Sequence, residues 1–431
     1  MKIAIAGYGL EGQASYRYYT QDPSNEITIF DQNPDFKGPD GVKAVVGHNA
    51  FENLQGYDLV LRTPAIAPNL IHTDGKIWSG TNEFFVASPA TIVGVTGTKG
   101  KGTTSSMIVS ILEAAGRKVW LLGNIGTAAL DLLPEIKADD IVVYELSSFQ
   151  LWDIQSSPHI AVVLPIEPDH LNIHYDMEDY VAAKGGIRRF QKAGDICIYN
   201  PFNDYAKQIA ELTTEAPKKR YAVSEDGAVY VKDNSFHVGE QIICSTDIMQ
   251  VPGQHNIENA CAAASVALEL GIPFQAISEG LMNFKGLPHR IELVRVLNGV
   301  EYYNDSFSSA PGASVAAIKS FTNPEIVVLG GIDKGADFSE LIKTISEHKN
   351  VKELVLIGEI RHKLNDLLSA AGLEAKITVF DGQTMPEIVT YLASQAQTGD
   401  AVILSPACAS FDMFKDFKDR GDQFRELVNA L

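Results

Sequence analysis

Residues 94–104 have the sequence Gly94-Val95-Thr96-Gly97-Thr98-Lys99-Gly100-Lys101-Gly102-Thr103-Thr104 and join an apolar β-type run to a helical pattern. Backbone N–H groups of such a glycine loop converge on phosphate oxygens, and the N-terminus of the following helix adds a partial positive charge. A lysine at the position of Lys101 reaches the β- and γ-phosphates of a nucleotide. The segment therefore predicts a parallel α/β domain of the P-loop ATPase type. Its candidate ATP ligands are Gly97, Thr98, Lys99, Gly100, Lys101, Gly102, Thr103 and Thr104.

One position of this loop departs from the common P-loop pattern. Gly102 follows Lys101, where a P-loop usually carries a Ser or Thr whose hydroxyl helps to hold Mg²⁺. The hydroxyl at the metal would then come from Thr103 or Thr104. A glycine turn without a ligand is the alternative interpretation, but the strand–loop–helix context and the lysine favour a phosphate site.

Short β-branched runs alternate with helical patterns along almost the whole chain, which is typical of parallel α/β sheets. We predict three domains: a Rossmann-like domain over residues 1–88, a central ATP-binding domain over 89–286, and a Rossmann-like α/β domain over 287–431. The predicted strands are Lys2–Ala6, Thr91–Thr96, Lys118–Leu122, Ile141–Glu145, Ile160–Leu164, Val300–Tyr303, Glu325–Leu329, Glu353–Ile357, Lys376–Phe380 and Ala401–Leu404. Helices are predicted over Thr103–Ala115 and Asn256–Leu270, and residues 227–244 form a polar, strand-like stretch.

Length and composition limit the class of protein. A chain of 431 residues is too long for one hydrophobic core, and 45% hydrophobic with 21% charged residues is typical of soluble globular proteins. The net charge of −19 argues against general nucleic-acid binding, which needs a basic surface. No apolar run approaches the ~20 residues that span a bilayer, and the N-terminus has no signal-peptide pattern. Because the four cysteines are scattered and indicate reduced thiols, we expect a cytoplasmic protein without membrane insertion.

Two polar residues occur where ligand groups are expected in a parallel sheet. Glu145 ends a predicted strand, and His170 lies in the loop after the next one. The carboxyl ends of parallel strands meet at one edge of the sheet, where ligands bind in open α/β folds. Mg²⁺ is bound by few protein ligands together with phosphate oxygens and water. Each residue alone would be interpreted as a surface or packing residue, but their joint placement predicts a magnesium site.

The first domain begins with Gly7-Tyr8-Gly9-Leu10-Glu11-Gly12 directly after a strand, and Asp31 ends the next strand. This is the dinucleotide-binding fingerprint, in which a glycine turn and a helix N-terminus hold a pyrophosphate. NAD is one candidate ligand, and a UDP-linked compound with the same pyrophosphate anion is another. A structural turn without a ligand is the third interpretation.

Several motifs together resemble the Mur ligase and folylpolyglutamate synthase superfamily over the whole chain. They are Gly97-Thr98-Lys99-Gly100-Lys101, Glu145-Leu146-Ser147-Ser148, Asp169-His170 and Gly253-Gln254-His255-Asn256-Ile257-Glu258-Asn259. Near the C-terminus, Ser405-Pro406-Ala407-Cys408-Ala409-Ser410-Phe411-Asp412 and Arg420-Gly421-Asp422-Gln423-Phe424 resemble the branch of the family that adds D-glutamate.

This resemblance implies an ATP-dependent amide ligase of peptidoglycan precursor synthesis. ATP would phosphorylate the carboxylate of UDP-N-acetylmuramoyl-L-alanine, and the amine of D-glutamate would attack the acyl phosphate, with release of ADP and phosphate. For the first domain the resemblance favours the UDP-linked ligand. We expect the protein to act as a monomer.

The resemblance also implies roles for matching positions. The nucleotide-sugar substrate would be bound by Gly9, Leu10, Asp31, Thr63, Asn124, Ser147 and Gln150. Further ATP ligands across the domain junction would be Asn256, Asn259, Arg290 and Asp305. D-Glutamate would be bound by Lys334, Ser410 and Phe417. The implied catalytic residues are Lys101, Glu145, His170 and Lys184, and the candidate metal ligands are Thr103, Glu145, His170 and Lys184.

Lys184 lies in Tyr180-Val181-Ala182-Ala183-Lys184 and matches the lysine that this family carbamylates. The resemblance thus implies a carbamylated Lys184 and two magnesium ions. From its sequence context alone, Lys184 would be interpreted as an ordinary exposed helical lysine.

Two departures from the family pattern affect individual contacts. The family commonly has Asp-Ser-Lys-Ala-Thr-Asn where this chain has Asp305-Ser306-Phe307-Ser308-Ser309-Ala310. Because a lysine is missing there, we expect Ser308 or Ser309 to supply the polar contacts of that loop. Asn33 stands where some relatives place a basic residue near the uracil.

Three alternative functions remain open from the sequence. A ligase of the same superfamily with another amino acid or a folate substrate would share most motifs. An NAD-dependent dehydrogenase would leave the central glycine–lysine loop without a role. A nucleotide-binding switch would leave Glu145, His170 and the C-terminal motifs without one.

Overall fold

The computed structural model of the protein describes residues 1–124, 128–224, 227–373, 375–382 and 384–431. These residues divide into two compact units. Unit 1 comprises Met1–Ile248 and Ile257–Asn283, and unit 2 comprises Met249–Asn256 and Phe284–Leu431. The limits of the three domains, at residues 88 and 286, stay predictions.

The first sheet of unit 1 lies at the N-terminus. Among the described residues its strands are β1 (Lys2–Ala6), β2 (Glu26–Asp31), β3 (Lys43–Val46), β4 (Leu59–Arg62) and β5 (Lys76–Trp78). They are parallel, in the order β3-β2-β1-β4-β5, and helices α1 (Leu10–Tyr19) and α2 (Gly80–Ala87) follow β1 and β5. Ile3 and Ile5 pack in one apolar cluster and Ala4 and Ala6 in another. Burial of both faces explains the continuous apolar run that predicted β1.

The second sheet of unit 1 carries the glycine loop. Within the described ranges its strands are β6 (Thr91–Thr96), β7 (Val119–Gly123), β8 (Ile141–Glu145), β9 (Ile160–Val163), β10 (Ile196–Tyr199) and β11 (Lys218–Arg220). All are parallel, in the order β11-β10-β9-β6-β8-β7. The helices along it are α3 (Lys101–Ala114), α4 (Ala129–Leu132), α5 (Ser148–Leu151), α6 (Met177–Lys184), α7 (Gly186–Arg189) and α8 (Asp204–Ala210). Because β6, β8 and β9 are neighbours, the segments that follow them meet at one edge of the sheet.

The polar stretch at residues 227–244 forms a small antiparallel sheet. Its strands in the described chain are β12 (Tyr230–Lys232), β13 (Ser235–Val238) and β14 (Gln241–Ser245). Helices α9 (Gln254–Glu269) and α10 (Phe274–Asn283) follow. The predicted helix at Asn256–Leu270 is confirmed, with a start two residues earlier.

Unit 2 contains the fourth sheet. Its described strands are β15 (Glu292–Leu297), β16 (Val300–Asn304), β17 (Glu325–Gly330), β18 (Val351–Ile357), β19 (Lys376–Val379) and β20 (Ala401–Leu404), in the order β15-β16-β20-β17-β18-β19. β15 is antiparallel to β16, and the other neighbours are parallel. The helices are α11 (Pro311–Ile318), α12 (Ser339–Glu347), α13 (Arg361–Ala370), α14 (Met385–Gln395) and α15 (Phe417–Ala430). Within the described ranges, every helix is too short or too polar to traverse a lipid bilayer.

Candidate active site

The glycine loop of unit 1 connects the end of β6 to the start of α3. Gly97 and Gly100 have φ angles of 156° and 83°, and Gly100 caps α3 in the left-handed region that favours glycine. A Cβ atom on Gly100 would lie 2.7 Å from Oδ1 of Asn259, and one on Gly97 would lie 2.7 Å from Leu164. Both positions therefore require glycine, and Asn259 lies directly beside the loop.

Two lysine side chains contact the same carbonyl oxygen of this loop. Nζ of Lys101 donates to the backbone oxygens of Gly97 (3.1 Å) and Thr98 (3.0 Å), and Nζ of Lys184 donates to that of Gly97 (2.8 Å). Lys184 is only 1% exposed. Burial and the nearby charge of Lys101 lower the pKa of Lys184 well below that of an ordinary lysine. The interpretation of Lys184 as an exposed helical lysine is therefore wrong, because the C-terminal end of α6 packs against the glycine loop.

The remaining polar side chains of the loop differ in exposure. Lys99 points to solvent, with 80% of its side chain exposed, and pairs with Glu167 at 2.9 Å. Thr103 is half-buried. Thr104 is fully buried, and its Oγ1 has no hydrogen-bond partner among the described residues. Of the two hydroxyls predicted to contact a metal, that of Thr103 is therefore the more accessible.

Glu145 is the last residue of β8, and His170 lies in the segment that follows β9. Both therefore lie at the sheet edge that carries the glycine loop. Glu145 is buried, and its Oε1 accepts a hydrogen bond from Nδ2 of Asn124 at 3.3 Å. The side chain of His170 is 46% exposed, and its ring centroid lies 5.0 Å from that of Phe149. The charge of Glu145 raises the pKa of Lys184, against the larger effect of burial, so these two groups are within electrostatic range.

The donor set at this edge fits a magnesium ion. Mg²⁺ is typically bound by one or two protein carboxylates, with phosphate oxygens and water in its other positions, and the buried carboxylate of Glu145 is suited to this role. Among the described residues, no group of three or more His, Cys, Asp or Glu side chains forms a closed metal site.

A cavity of about 580 Å³ in unit 1 lies at the carboxyl ends of β1, β2 and β4 in the first sheet. It brings together five predicted substrate ligands, Gly9, Leu10, Asp31, Thr63 and Asn124. Both carboxylate oxygens of Asp31 accept backbone N–H groups, from Tyr8 at 3.0 Å and from Asn33 at 2.9 Å. Asp31 therefore fixes the two loops that border the cavity.

Ser147 and Gln150 form the N-terminal cap of the short helix α5. Oγ of Ser147 accepts the N–H of Gln150 at 3.2 Å, and Oε1 of Gln150 accepts the N–H and the hydroxyl of Ser147, both at 3.1 Å. Nε2 of Gln150 donates to Oε1 of Glu11 at 2.9 Å. These side chains thus link the first glycine turn to the segment after Glu145, and their contact with a substrate stays a prediction.

In unit 2, Asp305 lies in the loop after β16 and is buried. Its Oδ2 accepts the hydroxyls of Ser308 (2.5 Å) and Ser405 (2.6 Å), and its Oδ1 accepts the N–H of Ile291 (3.2 Å). Burial raises the pKa of Asp305 to about 6. The hydroxyl of Ser308, one of the two expected to supply the polar contacts of this loop, is thus engaged with Asp305.

The other predicted ATP ligands of unit 2 have different surroundings. Cζ of Arg290 lies 3.7 Å from the ring centroid of Phe307, and the ring of Phe307 meets that of Phe417 edge-on at 5.1 Å. Phe307, at the position where the family commonly has lysine, therefore holds a guanidinium group by cation–π contact. Nδ2 of Asn256 donates to the backbone oxygen of Pro252 at 2.6 Å.

The residues predicted to bind D-glutamate follow strands β17 and β20 of unit 2. Lys334 is exposed, Ser410 is buried, and Phe417 is the first residue of α15. An antiparallel bridge between Ile332 and Ala409 joins the loops that carry Lys334 and Ser410. These two residues therefore lie on neighbouring loops of one sheet edge.

A buried arginine that the sequence analysis missed connects the cavity to the segment after Glu145. Arg62 ends β4 and is 1% exposed. It binds both carboxylate oxygens of Asp153 (2.6 and 2.7 Å) and the backbone oxygens of Phe149 (2.7 Å), Thr63 (3.2 Å) and Ile66 (2.7 Å). The available sequence signal was an arginine directly after the apolar residues of β4. A guanidinium at the end of a buried strand indicates nearby acceptors, because a buried charge requires partners.

Comparison with known proteins confirms the resemblance. A model of the Mur ligase middle domain matches residues 95–267, and one of the Mur ligase glutamate ligase domain matches residues 289–408. The UDP-N-acetylmuramoylalanine–D-glutamate ligase of Acetivibrio thermocellus is 38% identical over 455 residues, which cover 100% of this chain and 96% of the relative.

Solved structures with lower sequence identity show the same fold and confirm the predicted fold class. The UDP-N-acetylmuramate–alanine ligase MurC of Thermotoga maritima superposes with a TM-score of 0.61 at 16% identity, covering 100% of this chain and 99% of that one. MurF ligase of Thermotoga maritima in complex with ADP superposes with a TM-score of 0.60 at 18% identity, covering 99% and 93%. The chain therefore belongs to the Mur ligase family, within the group that contains the UDP-N-acetylmuramoylalanine–D-glutamate ligases.

Proposed function

We propose that the protein joins D-glutamate to UDP-N-acetylmuramoyl-L-alanine and uses ATP to activate the carboxylate. The observation that carries this proposal is the convergence of Lys101 and the buried Lys184 on the glycine loop, at the sheet edge that also carries Glu145 and His170. A charge arrangement of this kind suits phosphoryl transfer, which depends on positioning and electrostatic stabilisation.

The reaction would proceed in two steps. An oxygen of the L-alanyl carboxylate attacks the γ-phosphorus of ATP, the bond to ADP breaks, and an acyl phosphate forms. The amine of D-glutamate then attacks the acyl carbon and loses a proton, and phosphate leaves with the C–O bonding pair. Lys101 would neutralise the charge that develops on the transferred phosphoryl group.

Magnesium would be held by Glu145, His170 and the hydroxyl of Thr103, and it would neutralise phosphate charge. We further propose that Lys184 is carbamylated. Its low pKa supports this proposal, because only the neutral amine reacts with CO₂. The carbamate would replace an ammonium group, which has no lone pair, with two acceptor oxygens beside the glycine loop. The carbamate of Lys184 would then provide an anionic ligand for a second magnesium ion.

The substrates would be bound by the following residues. The UDP-linked substrate would bind in the 580 Å³ cavity of unit 1, which is lined by Gly9, Leu10, Asp31, Thr63 and Asn124. In unit 2, Arg290 and Asp305 would contact the nucleotide, and Lys334, Ser410 and Phe417 would contact D-glutamate. The exposed ammonium of Lys334 would pair with the side-chain carboxylate of glutamate, which amino acids with uncharged side chains lack.

Phosphate release tests this function directly. The purified protein would be assayed with ATP, MgCl₂, bicarbonate and UDP-N-acetylmuramoyl-L-alanine, against D-glutamate, L-glutamate, L-lysine and glycine in parallel. We expect turnover with D-glutamate and hardly any with the other three. Comparable turnover of L-lysine, or of a folate in place of the UDP substrate, would assign the protein to another activity of the family.

A further inference from the structure

His174 lies in the segment between β9 and α6 and is buried. Its Nδ1 lies 2.9 Å from Oδ2 of Asp179, and its Nε2 lies 2.9 Å from Oγ of Ser148. Both ring nitrogens therefore have a partner, and the proposed function assigns no role to any of these three side chains.

The surroundings of Asp179 determine which ring nitrogen carries the proton. Oδ1 of Asp179 accepts Nε1–H of Trp152 at 3.0 Å, and Oδ2 accepts the backbone N–H of Tyr175 at 3.2 Å. Burial opposes its ionisation, but hydrogen bonds from His174 and Trp152 lower the pKa of Asp179, so it is a carboxylate that only accepts. Nδ1 of His174 therefore donates to Asp179, and Nε2 accepts the hydroxyl proton of Ser148.

One partner of His174 lies shortly after a proposed catalytic residue in the sequence, and the other lies on a helix that carries one. Ser148 begins α5, three residues after Glu145. Asp179 lies on α6, which ends at Lys184. One imidazole thus connects the segment after β8 with the helix that carries Lys184 into the glycine loop.

The ring of His174 is also fixed by its neighbours. Its backbone N–H donates to the backbone oxygen of His170 at 2.9 Å. Its ring centroid lies 5.4 Å from that of Phe149, with the planes 9° apart, and 4.2 Å from that of Trp152. Tyr180 meets it edge-on at 5.1 Å. The imidazole therefore has little freedom to rotate.

We propose that His174 is a positioning residue, which sets the mutual arrangement of Glu145, His170 and Lys184 through its hydrogen bonds to Ser148 and Asp179. This inference rests on the proposed function of those three residues. Groups that hold metal-site residues in place, without touching the metal themselves, typically change metal affinity or activity by about 10- to 100-fold when they are removed.

The test compares three variants of the full-length protein. His174→Phe keeps an aromatic ring in the stack but loses both hydrogen bonds. His174→Asn retains a donor near the position of Nδ1 and therefore keeps the bond to Asp179. Trp152→Phe removes one hydrogen bond from Asp179 and leaves those of His174 intact.

Each variant is measured in four ways: kcat, KM for D-glutamate, Mg²⁺-dependent binding of ATP by calorimetry, and the melting temperature. For His174→Phe we expect kcat and Mg²⁺-dependent ATP affinity each to fall about 10- to 100-fold. KM for D-glutamate should stay within about twofold, because its proposed ligands lie in unit 2 and their uniform substrate binding is not removed. His174→Asn should lie between His174→Phe and the parent, and Trp152→Phe should show a smaller loss than His174→Phe.

Two results would overturn the inference. One is a His174→Phe variant whose kcat and ATP affinity stay within about threefold of the parent. The other is a loss in which KM for D-glutamate and the melting temperature change along with kcat, which would show a merely structural histidine. If the parent releases no phosphate with D-glutamate, the proposed substrate assignment fails, and the calorimetric comparison still decides the role of His174.

Discussion

The Nζ atom of Lys184 lies 2.8 Å from the backbone oxygen of Gly97, so the end of α6 is in direct contact with the glycine loop. A charged ammonium at a buried position is unfavourable unless the charge is compensated, and Lys101 contacts the same oxygen. The two lysines therefore share one acceptor, and their charges repel each other. Conversion of Lys184 to an anionic carbamate would remove their repulsion and produce an attractive pair.

Lys184→Ala should lower kcat at least ~100-fold, the scale of losing one preorganised electrostatic group. The parent should lose activity when dissolved CO₂ is stripped and recover it with bicarbonate. A small carboxylate such as acetate should partly restore Lys184→Ala. If Lys184→Ala keeps the rate of the parent and bicarbonate has no effect, this lysine takes no part in the reaction.

Lys101→Ala should also lower kcat by at least ~100-fold, because a charge aimed at the transferred phosphoryl group is lost. The neighbouring Lys99→Ala is the matched comparison, since the Lys99 side chain is 80% exposed and pairs with Glu167. Lys99→Ala should lower kcat less than Lys101→Ala does. Equal losses in both variants would mean that general loop charge, rather than the position of Lys101, matters.

Thr103→Val should raise the Mg²⁺ concentration needed for half-maximal activity, because Gly102 offers no hydroxyl in its place. Thr104→Val is the isosteric control. Its hydroxyl is buried without a partner among the described residues, so its replacement should leave stability unchanged or slightly improved. Magnesium titrations of the two variants that both coincide with the parent would show that loop hydroxyls do not bind the metal.

Lys334→Ala should raise KM for D-glutamate and leave KM for the UDP substrate unchanged, since the two proposed sites use different residues. Lys363→Ala provides the control. Its ammonium is paired with Asp333 at 2.5 Å and would not be available to a substrate carboxylate. A Lys363→Ala variant with the same rise in KM would indicate a diffuse electrostatic effect instead.

Glu325→Gln should make the protein more stable at pH 8.5 than the parent, with a smaller difference at pH 5.5. Burial raises the pKa of Glu325 from 4.5 to about 8, and one carboxylate oxygen lies 2.8 Å from Nε2 of His348. Between these two pKa values the folded state holds a proton that the unfolded state has lost, so stability falls as pH rises through this window, by up to about 1.4 kcal/mol per pH unit. The neutral amide removes this dependence. Thermal unfolding of both proteins across this range measures it, and identical pH profiles would contradict the assignment.

The sequence predicted those features that depend on local pattern. β1, β6, β8 and β20 have the predicted limits, because a strand buried on both faces is an uninterrupted apolar run between turn residues. Glu145 lies at the carboxyl end of β8 as predicted, since the limits of that strand place it there.

Other features depend on contacts between distant segments and left no local pattern. The burial of Lys184 results from its contact with Gly97, 87 residues away in the sequence. Periodicity describes only the helix to which a residue belongs and not what the end of that helix contacts. The same holds for Asp305, which accepts the hydroxyl of Ser405, 100 residues away in the sequence.

Arg62 has a consequence for the folding of unit 1. All five N–H donors of its guanidinium are directed at Asp153 and at backbone oxygens on either side, which joins the end of β4 to the segment after β8. Opening either sheet would break these contacts and leave the guanidinium charge of Arg62 without its partners. Amide hydrogens of β1 and β8 should therefore exchange with solvent through a shared opening event, as one cooperative folding unit.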